Sequence, residues 1–299
     1  MRVQNLLAQT NAVTPIQDVL TSLAQVRDDG DYLYPTAAPG AHADMPIAGK
    51  LGLCGNKWRK EQVKNINGDD HVSWFYQYFH WITNDDHIEW ANENGLEFVP
   101  MLNQNRIKLD GWSKCYLNGR DPDGNEQERC DKDRIASEIK ETMDKLTTPV
   151  RYLIGLNEPF DTDENKPNKW VEPREASALW GEYWMPIAEE LGLKLVSPTS
   201  IMKGDKASWI ADFFKGCWEL RDAEENHCDV NTIEVFNIHH YSCVYKHYYE
   251  AYDLIPDDQD NFYGYLIAQL TDPAWEGHDQ NDWEEWVLSR PIWVTETSC

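Results

Sequence analysis

Two glutamates each end an apolar, strand-like run of this sequence. Glu158 ends RYLIGLNE at 151–158, and Pro159 behind it cannot continue a hydrogen-bond ladder. Glu296 ends PIWVTE at 291–296. Cleaving a glycosidic bond needs two such carboxyl groups, one to protonate the leaving oxygen and one to attack the sugar or activate a water. One strand-end glutamate alone is usually a salt-bridge or helix-cap residue, whereas two such sites favour catalysis.

Paired carboxyl groups need a scaffold that brings strand ends together. Seven short apolar runs along the chain read as strands, and most are separated by helix-like segments. The runs lie at 50–54, 72–78, 96–102, 151–157, 194–198, 235–239 and 291–296. Strands that alternate with helices predict a parallel sheet. Because a polar or catalytic-looking residue lies at the carboxyl end of each strand, the pattern favours a TIM-type (β/α)8 barrel, whose active sites lie at the carboxyl ends of the strands.

Two of the helices have clear boundaries. Apolar residues recur at helical spacing between Pro173, a residue suited to a first turn, and Leu191, and Gly192 then provides a stop. A second helix begins at Asn84 and ends at Gly95. By contrast, residues 1–47 read as a peripheral extension, with a short amphipathic helix at 15–26. The segment 118–133 reads as a long exposed loop.

Composition restricts the partners of the protein. The chain has 299 residues and a formal net charge of −25, which disfavours nucleic acid and anionic membranes as partners. No run of 18 apolar residues predicts a membrane span. Tryptophan and tyrosine number 14 each, against 8 phenylalanines. Such rings suit partly wet contacts with sugar faces, although they suit core packing equally well.

Seven cysteines leave the redox state of the chain open. Cys115 with Cys130, and Cys217 with Cys228, lie in polar loop-like stretches and fit two disulfides, but scattered reduced thiols fit as well. No CxxC motif is present, and the acidic segment 161–172 has Lys166 where an EF-hand needs glycine. We therefore expect no metal and no cofactor. The N-terminus is too polar for the core of a signal peptide.

Several sequence blocks together resemble one known family. With the Asn-Glu-Pro at 157–159 and the Thr-Glu at 295–296, the chain is similar to the Asl1-like glycosyl hydrolase catalytic domain, glycoside hydrolase family 128, over about residues 50–299. The blocks are SWFYQY (73–78), FVPML (98–102), YLIGLNEP (152–159), EPREASALWGEYWMPIAEELGLKLVSPT (172–199), WIADFF (209–214), IHHY (238–241) and PIWVTE (291–296). Their order and spacing are more specific than Asn-Glu-Pro alone.

The resemblance implies a retaining endo-β-1,3-glucanase with its catalytic barrel at residues 48–299. Glu158 would be the acid/base and Glu296 the nucleophile. Asn157 would bind the sugar 2-hydroxyl, Tyr241 would orient Glu296, and His239 would line the floor of the site, unless it is simply a core histidine. Aromatic residues that would stack on sugars, or else only pack, are Trp74, Tyr76, Tyr78, Trp58 and Trp112.

The resemblance also implies a β-glucan partner, a monomer, and an extracellular or cell-wall location. The chain departs from the family pattern in having Gln77 and Tyr78 where the family has Asn and Trp, and His240 where it has Trp. These departures leave two alternatives, a non-catalytic β-glucan-binding module and a glycosidase for another β-linked polysaccharide. Because the sequence ends shortly after Glu296, we expect the barrel to lack its eighth strand and helix, leaving an open edge between strands one and seven.

Overall fold

The strands and helices alternate along the chain as the apolar pattern predicts. The protein is described here from a computed structural model. The residues it describes are 51–54, 72–82, 84–103, 106–108, 114–121, 124–160, 171–201, 205–240, 262–279 and 282–297. The predicted extension at 1–47, including the helix at 15–26, lies outside these residues, and the predicted domain boundary stays a prediction.

All seven predicted strands are present within the described residues. They are β1 (Leu51–Cys54), β2 (Val72–Tyr76), β3 (Glu97–Val99), β6 (Tyr152–Ile154), β7 (Lys194–Ile201), β8 (Ile233–His240) and β9 (Ile292–Thr297). Neighbours along this series pair in parallel, apart from β3 and β6, which are joined by an isolated parallel bridge. A short antiparallel pair, β4 (Arg106–Lys108) and β5 (Lys114–Tyr116), was not predicted.

The parallel sheet curls so that its two outer strands approach each other. The Ile154 amide donates to the carbonyl of Pro100 at 2.9 Å and so joins β6 to the end of β3. At the other side, Cα atoms of β1 come within 8 Å of β9. The Tyr76 hydroxyl also donates to the Thr295 carbonyl at 3.1 Å, linking β2 to β9. The described strands therefore form a curled parallel sheet, consistent with part of a TIM-like barrel.

Alternating residues divide the sheet into two apolar faces. One face forms an interior cluster, made of Trp74, Tyr76, Val99, Met101, Tyr152, Ile154, Val196, Val235 and Trp293. The other face packs beneath the surrounding helices and includes Phe75, Phe98, Leu153, Leu195, Phe236 and Ile238. Burial on both faces is what a parallel sheet covered by helices requires.

The two helices with predicted boundaries have the predicted positions, one of them with a change in geometry, and further helices lie between the other strands. They are α1 (Asp85–Asn94), α2 (Lys132–Met143), α3 (Pro173–Leu179), α4 (Met185–Leu191), α5 (Asp205–Leu220), α6 (Phe262–Leu270) and α7 (Trp283–Leu288). Asn84 caps α1 through its side chain, and Gly95 ends it in the left-handed conformation. Between α3 and α4 the helix continues as one π turn, Trp180–Trp184. Pro186 has no amide hydrogen to donate within an α-helix, which favours a wider turn here.

Two disulfides settle the question that the cysteines left open. Cys115 is bonded to Cys130, and Cys217 to Cys228. The first bond closes the predicted loop, whose residues 124–129 are exposed. The Tyr183 hydroxyl lies 3.0 Å from the carbonyl oxygens of both Leu117 and Cys130, and so holds the base of this loop against the π turn.

Removing the first disulfide is expected to lower the stability of the protein. The bond encloses a sequence separation of 15 residues, and a loop of this size contributes about 3 kcal/mol, within a usual range of about 2–4 kcal/mol. We expect the double variant Cys115→Ser/Cys130→Ser to show this loss in the free energy of unfolding, measured by urea titration. An unchanged unfolding midpoint would contradict the assignment of this disulfide.

A buried hydrogen bond joins the segment after β2 to helix α2. The Nε2 atom of His80 lies 2.8 Å from Oε2 of Glu138, and Arg134 donates to the other oxygen of Glu138 at 3.1 Å. His80 is 1 % exposed. Burial lowers the pKa of His80 below its ordinary value of 6.5, although the hydrogen bond and charge of Glu138 act to raise it.

The lowered pKa of His80 predicts a loss of stability in acid. The unfolded chain binds a proton at this histidine near pH 6.5, whereas the folded protein binds it only at lower pH. The free energy of unfolding therefore falls as the pH drops from 6.5 through the folded-state pKa. We expect His80→Gln, which keeps a donor for Glu138, to remove this contribution in urea titrations between about pH 7.5 and about pH 5.

The exposed His227 offers a matched control. The variant His227→Gln should follow the parent protein across the same pH range. A stability difference between the parent and His80→Gln that does not change with pH would contradict the prediction.

Candidate active site

Glu158 lies just beyond the carboxyl end of β6 in an unusual backbone conformation. Its φ angle is +47°, in the left-handed region that residues other than glycine seldom adopt. Strained residues of this kind are concentrated at functional sites, where the surrounding structure holds them in place. The side chain is 14 % exposed, and its Oε1 atom lies 3.0 Å from Nδ1 of His239.

His239 connects the two predicted catalytic strands. It lies on β8, is fully buried, and contacts Glu158. In the ladder between β8 and β9, its Cα partner is Glu296. A register shift precedes this pair, so that Glu296 rather than Thr295 lies opposite His239. Neighbouring strands in a sheet lie about 4.8 Å apart. The side chain of Glu296 lies outside the described part of the structure.

A buried hydrogen-bond network lies one layer below His239. The Asn237 amide nitrogen donates to the Thr199 hydroxyl at 2.8 Å, and the Thr295 hydroxyl donates to the Asn237 oxygen at 2.6 Å. The main-chain nitrogen of Asn237 is also 2.9 Å from the Ser197 hydroxyl. The network ties β7, β8 and β9 together and so fixes the register that pairs His239 with Glu296. The strand pattern did not identify it.

The support for Glu158 comes from the helix side of the sheet. Gly155 precedes the Asn157-Glu158 pair, and a Cβ atom there would lie 2.6 Å from the Trp180 ring and 2.9 Å from the backbone nitrogen of Pro198. Glycine is therefore required for this close approach. Trp180 stacks on Trp184 with ring centroids 5.2 Å apart, which places the π turn directly behind the end of β6.

Asn157 and one unpredicted asparagine complete the described rim. Asn157 is 5 % exposed, and its main-chain nitrogen donates to the Asn103 carbonyl at 2.7 Å. Asn103 follows β3, and its Nδ2 atom donates to the Tyr78 carbonyl at 3.2 Å. The signal in the sequence was an amide residue directly after an apolar run, the same signal that Asn157 gave.

The predicted aromatic residues occupy different surroundings. Trp74 and Tyr76 are 5 % and 1 % exposed, and they pack in the interior cluster, as their packing alternative predicts. Tyr78 is partly exposed at the rim, with its ring edge against Tyr76. A role of these rings in sugar binding stays a prediction. Trp58, Trp112 and Tyr241 lie outside the described residues.

Two general features of the described residues bear on ligands. No group of three or more His, Cys, Asp or Glu side chains is arranged there to hold a metal ion. Every helix described is too short or too polar to span a membrane.

Replacing Asn237 is expected to destabilise the protein, because it removes the centre of the hydrogen-bond network beneath His239. In Asn237→Ala, buried hydroxyl groups of Thr199 and Thr295 lose their partner, and a cavity forms beside them. We expect the free energy of unfolding to fall by about 2–4 kcal/mol, measured by urea titration. Asn231→Ala, at an exposed position just before β8, is the control and should stay within about 0.5 kcal/mol of the parent. Equal stability of the two variants would contradict the role of the network.

Comparison with solved structures finds similar chains at low identity. An endo-β-1,3-glucanase of glycoside hydrolase family 128, subgroup II, from Sorangium cellulosum is 21 % identical with a TM-score of 0.45, covering 82 % of this chain and 74 % of that one. A curdlan-specific exo-β-1,3-glucanase of subgroup III from Blastomyces gilchristii, in complex with glucose, is 15 % identical (TM-score 0.44; 83 % and 90 % covered). An oligosaccharide-binding protein of subgroup VII from Trichoderma gamsii is 17 % identical (TM-score 0.39; 82 % and 66 %).

A family model gives the chain a definite assignment. No curated protein matches the chain at a significant level. The model described as glycosyl hydrolase catalytic core, however, matches residues 52–255, about two thirds of the chain. The match includes the Asn-Glu-Pro segment, β8 and most of the blocks on which the resemblance was based, and the predicted resemblance is confirmed. This protein therefore belongs to the glycosyl hydrolase catalytic core family.

Proposed function

We propose that the protein is a retaining glycoside hydrolase that cleaves internal β-1,3-glucan linkages, with Glu158 as acid/base and Glu296 as nucleophile. The observation that supports this most is the contact of Glu158 with His239, whose partner on the adjacent strand is Glu296. It links two glutamates that are 138 positions apart in the sequence through one buried residue. The β-1,3 linkage rests on the resemblance of the sequence blocks.

The proposed reaction proceeds in two displacements. In the first, the protonated Glu158 donates its proton to the glycosidic oxygen while the bond from that oxygen to the anomeric carbon breaks. A carboxylate oxygen of Glu296 attacks the same carbon and forms a glycosyl ester. In the second, Glu158 removes a proton from water as the water oxygen attacks that carbon, and the ester bond to Glu296 breaks. The product keeps its original anomeric configuration.

Neighbouring side chains would orient these groups. With a proton on Nδ1, His239 donates to Oε1 of Glu158. The side-chain oxygen of Asn157 is buried and has no hydrogen-bond partner among the described residues. This oxygen suits the sugar 2-hydroxyl, whose hydrogen bond strengthens in the transition state.

We also propose the full scaffold and location that this function implies. The scaffold would be a TIM-type (β/α)8 barrel. The interior cluster, with Asn237 and His239 above it, resembles the layers of inward side chains that fill such a barrel. The catalytic barrel would span residues 48–299, with 1–47 peripheral. The two disulfides support folding in an oxidising compartment, in agreement with an extracellular or cell-wall location.

One departure from the family pattern bears on the binding-module alternative. Gln77 is fully buried, and its Nε2 atom lies 2.6 Å from Nδ1 of His87 on α1. The change from asparagine at this position therefore concerns packing between β2 and α1 and does not by itself argue for lost catalysis.

Replacing either glutamate tests the proposal. For Glu158→Gln and Glu296→Gln we expect the kcat for laminarin hydrolysis to fall by at least about 100- to 10,000-fold, with folding preserved, because each variant loses a group that acts in the transition state. A second substrate separates the two roles. For an aryl glycoside of a β-glucan oligosaccharide, whose leaving group needs no proton, the rate of cleavage should fall less in Glu158→Ala than in Glu296→Ala. Added azide should then give a β-azide with Glu158→Ala and an α-azide with Glu296→Ala.

The control for these variants is Glu126→Gln, an exposed glutamate in the disulfide-closed loop, which should keep full activity. Unchanged hydrolysis in Glu296→Gln would show that the nucleophile is wrongly assigned. Binding of laminari-oligosaccharides by the parent without any product would instead favour the non-catalytic binding module, and cleavage of a different β-linked polysaccharide would replace the β-1,3 assignment.

A further inference from the structure

Asn103 lies between two strand ends that carry candidate site residues. Its main-chain carbonyl accepts a hydrogen bond from the Asn157 amide at 2.7 Å, next to Glu158. Its side-chain Nδ2 donates to the Tyr78 carbonyl at 3.2 Å, at the end of β2. One residue thus joins the end of the strand with the proposed acid/base to the segment that carries Tyr78.

The orientation of the Asn103 amide follows from this contact. The Tyr78 carbonyl can only accept a hydrogen bond, so the atom that faces it is the nitrogen. The remaining atom, Oδ1, is buried and has no hydrogen-bond partner among the residues that the structure describes. The same is true of Oδ1 of Asn157, whose side chain is 5 % exposed. Buried polar atoms without partners are rare in proteins, and at the rim of a candidate site a ligand that supplies the missing bond is one explanation for them.

The chemistry of these atoms limits the ligand. Both amide oxygens only accept hydrogen bonds, so they need donors, and a neutral sugar offers a hydroxyl group at most ring positions. The carboxyl group of Glu158 lies at the same rim. A uronic acid would add negative charge to a chain whose formal net charge is already −25, which like-charge repulsion disfavours.

We propose that Asn103 is a substrate-binding residue, whose Oδ1 atom accepts a hydrogen bond from a hydroxyl of a neutral sugar beside the one that Asn157 contacts. At the same time its Nδ2 atom positions Tyr78. This inference rests on the proposed function and deepens it, because it selects neutral glucans over charged polysaccharides. It adds a residue on β3's carboxyl side to a site that otherwise depends on the ends of β6, β8 and β9.

Binding to an inactive background separates this role from catalysis. We expect Asn103→Ala, introduced into Glu158→Gln, to weaken the binding of a neutral laminari-oligosaccharide by about tenfold, measured by isothermal titration calorimetry. In the active protein the same change should mainly raise KM. The variant Asn103→Asp keeps an acceptor oxygen and loses the amide donor, and it should retain more affinity than Asn103→Ala.

Asn92→Ala is the matched control. Asn92 lies on α1, and its side chain forms exposed hydrogen bonds with the main chain of Lys145 and Thr147, which follow α2. It should bind as the parent does. Unchanged affinity in Asn103→Ala, equal losses in Asn103→Ala and Asn103→Asp, or tighter binding of an oligouronate than of the neutral glucan would overturn the inference. If the Glu158→Gln background binds the glucan normally, any of these three outcomes overturns only the role of Asn103 and leaves the proposed function standing. If neither that background nor the parent binds or cleaves any neutral β-glucan, the proposed function fails as well.

Discussion

The contact between Glu158 and His239 is the interaction on which the rest of the site depends. A carboxyl group and a fully buried imidazole meet at 3.0 Å, although they come from strands separated in the sheet by β7. The imidazole can reach the carboxyl group only if β8 keeps its register, because a slip of one residue would turn His239 to the opposite face. The carboxyl group can reach the imidazole only if residue 158 holds its left-handed backbone conformation.

Each of these two conditions has its own support in the structure. On the β8 side, the amide of Asn237 links three strands and holds them in one register. On the β6 side, Gly155 lets the Trp180 ring approach the strand, so the π turn packs directly behind the segment that leads to Glu158. The disulfide-closed loop contacts that same π turn through Tyr183. The π turn and the disulfide-closed loop therefore support the site through the carboxyl end of β6.

Much of this arrangement could be predicted from the sequence, because it depends on local signals. Apolar runs identified the seven parallel strands, and Asn84 and Gly95 marked the ends of a helix through capping chemistry. The position of Glu158 just after β6 and of Glu296 on β9 followed from the same apolar runs. The site's amide residues could be partly recognised, since Asn157 and Asn103 both follow an apolar run directly.

Other features depend on contacts between distant residues and could not be read from a local pattern. Trp74 and Tyr76 lie in a strand that is apolar on both faces, so nothing in its sequence separates interior rings from rings at the rim. The register shift that brings Glu296 opposite His239 arises between two strands. The pairing of His80 with Glu138 joins residues 58 positions apart. The left-handed conformation of Glu158 is likewise imposed by its surroundings.

The stereochemistry of hydrolysis tests the central claim most directly. Proton NMR can follow the anomeric signals of the sugar released from a reduced β-1,3-glucan oligosaccharide during the first minutes, before the product mutarotates. Two displacements at Glu158 and Glu296 predict that the β-anomer forms first and that the α-anomer grows only as mutarotation proceeds. Initial formation of the α-anomer would mean a single displacement with an activated water, and it would contradict the assignment of Glu296 as nucleophile.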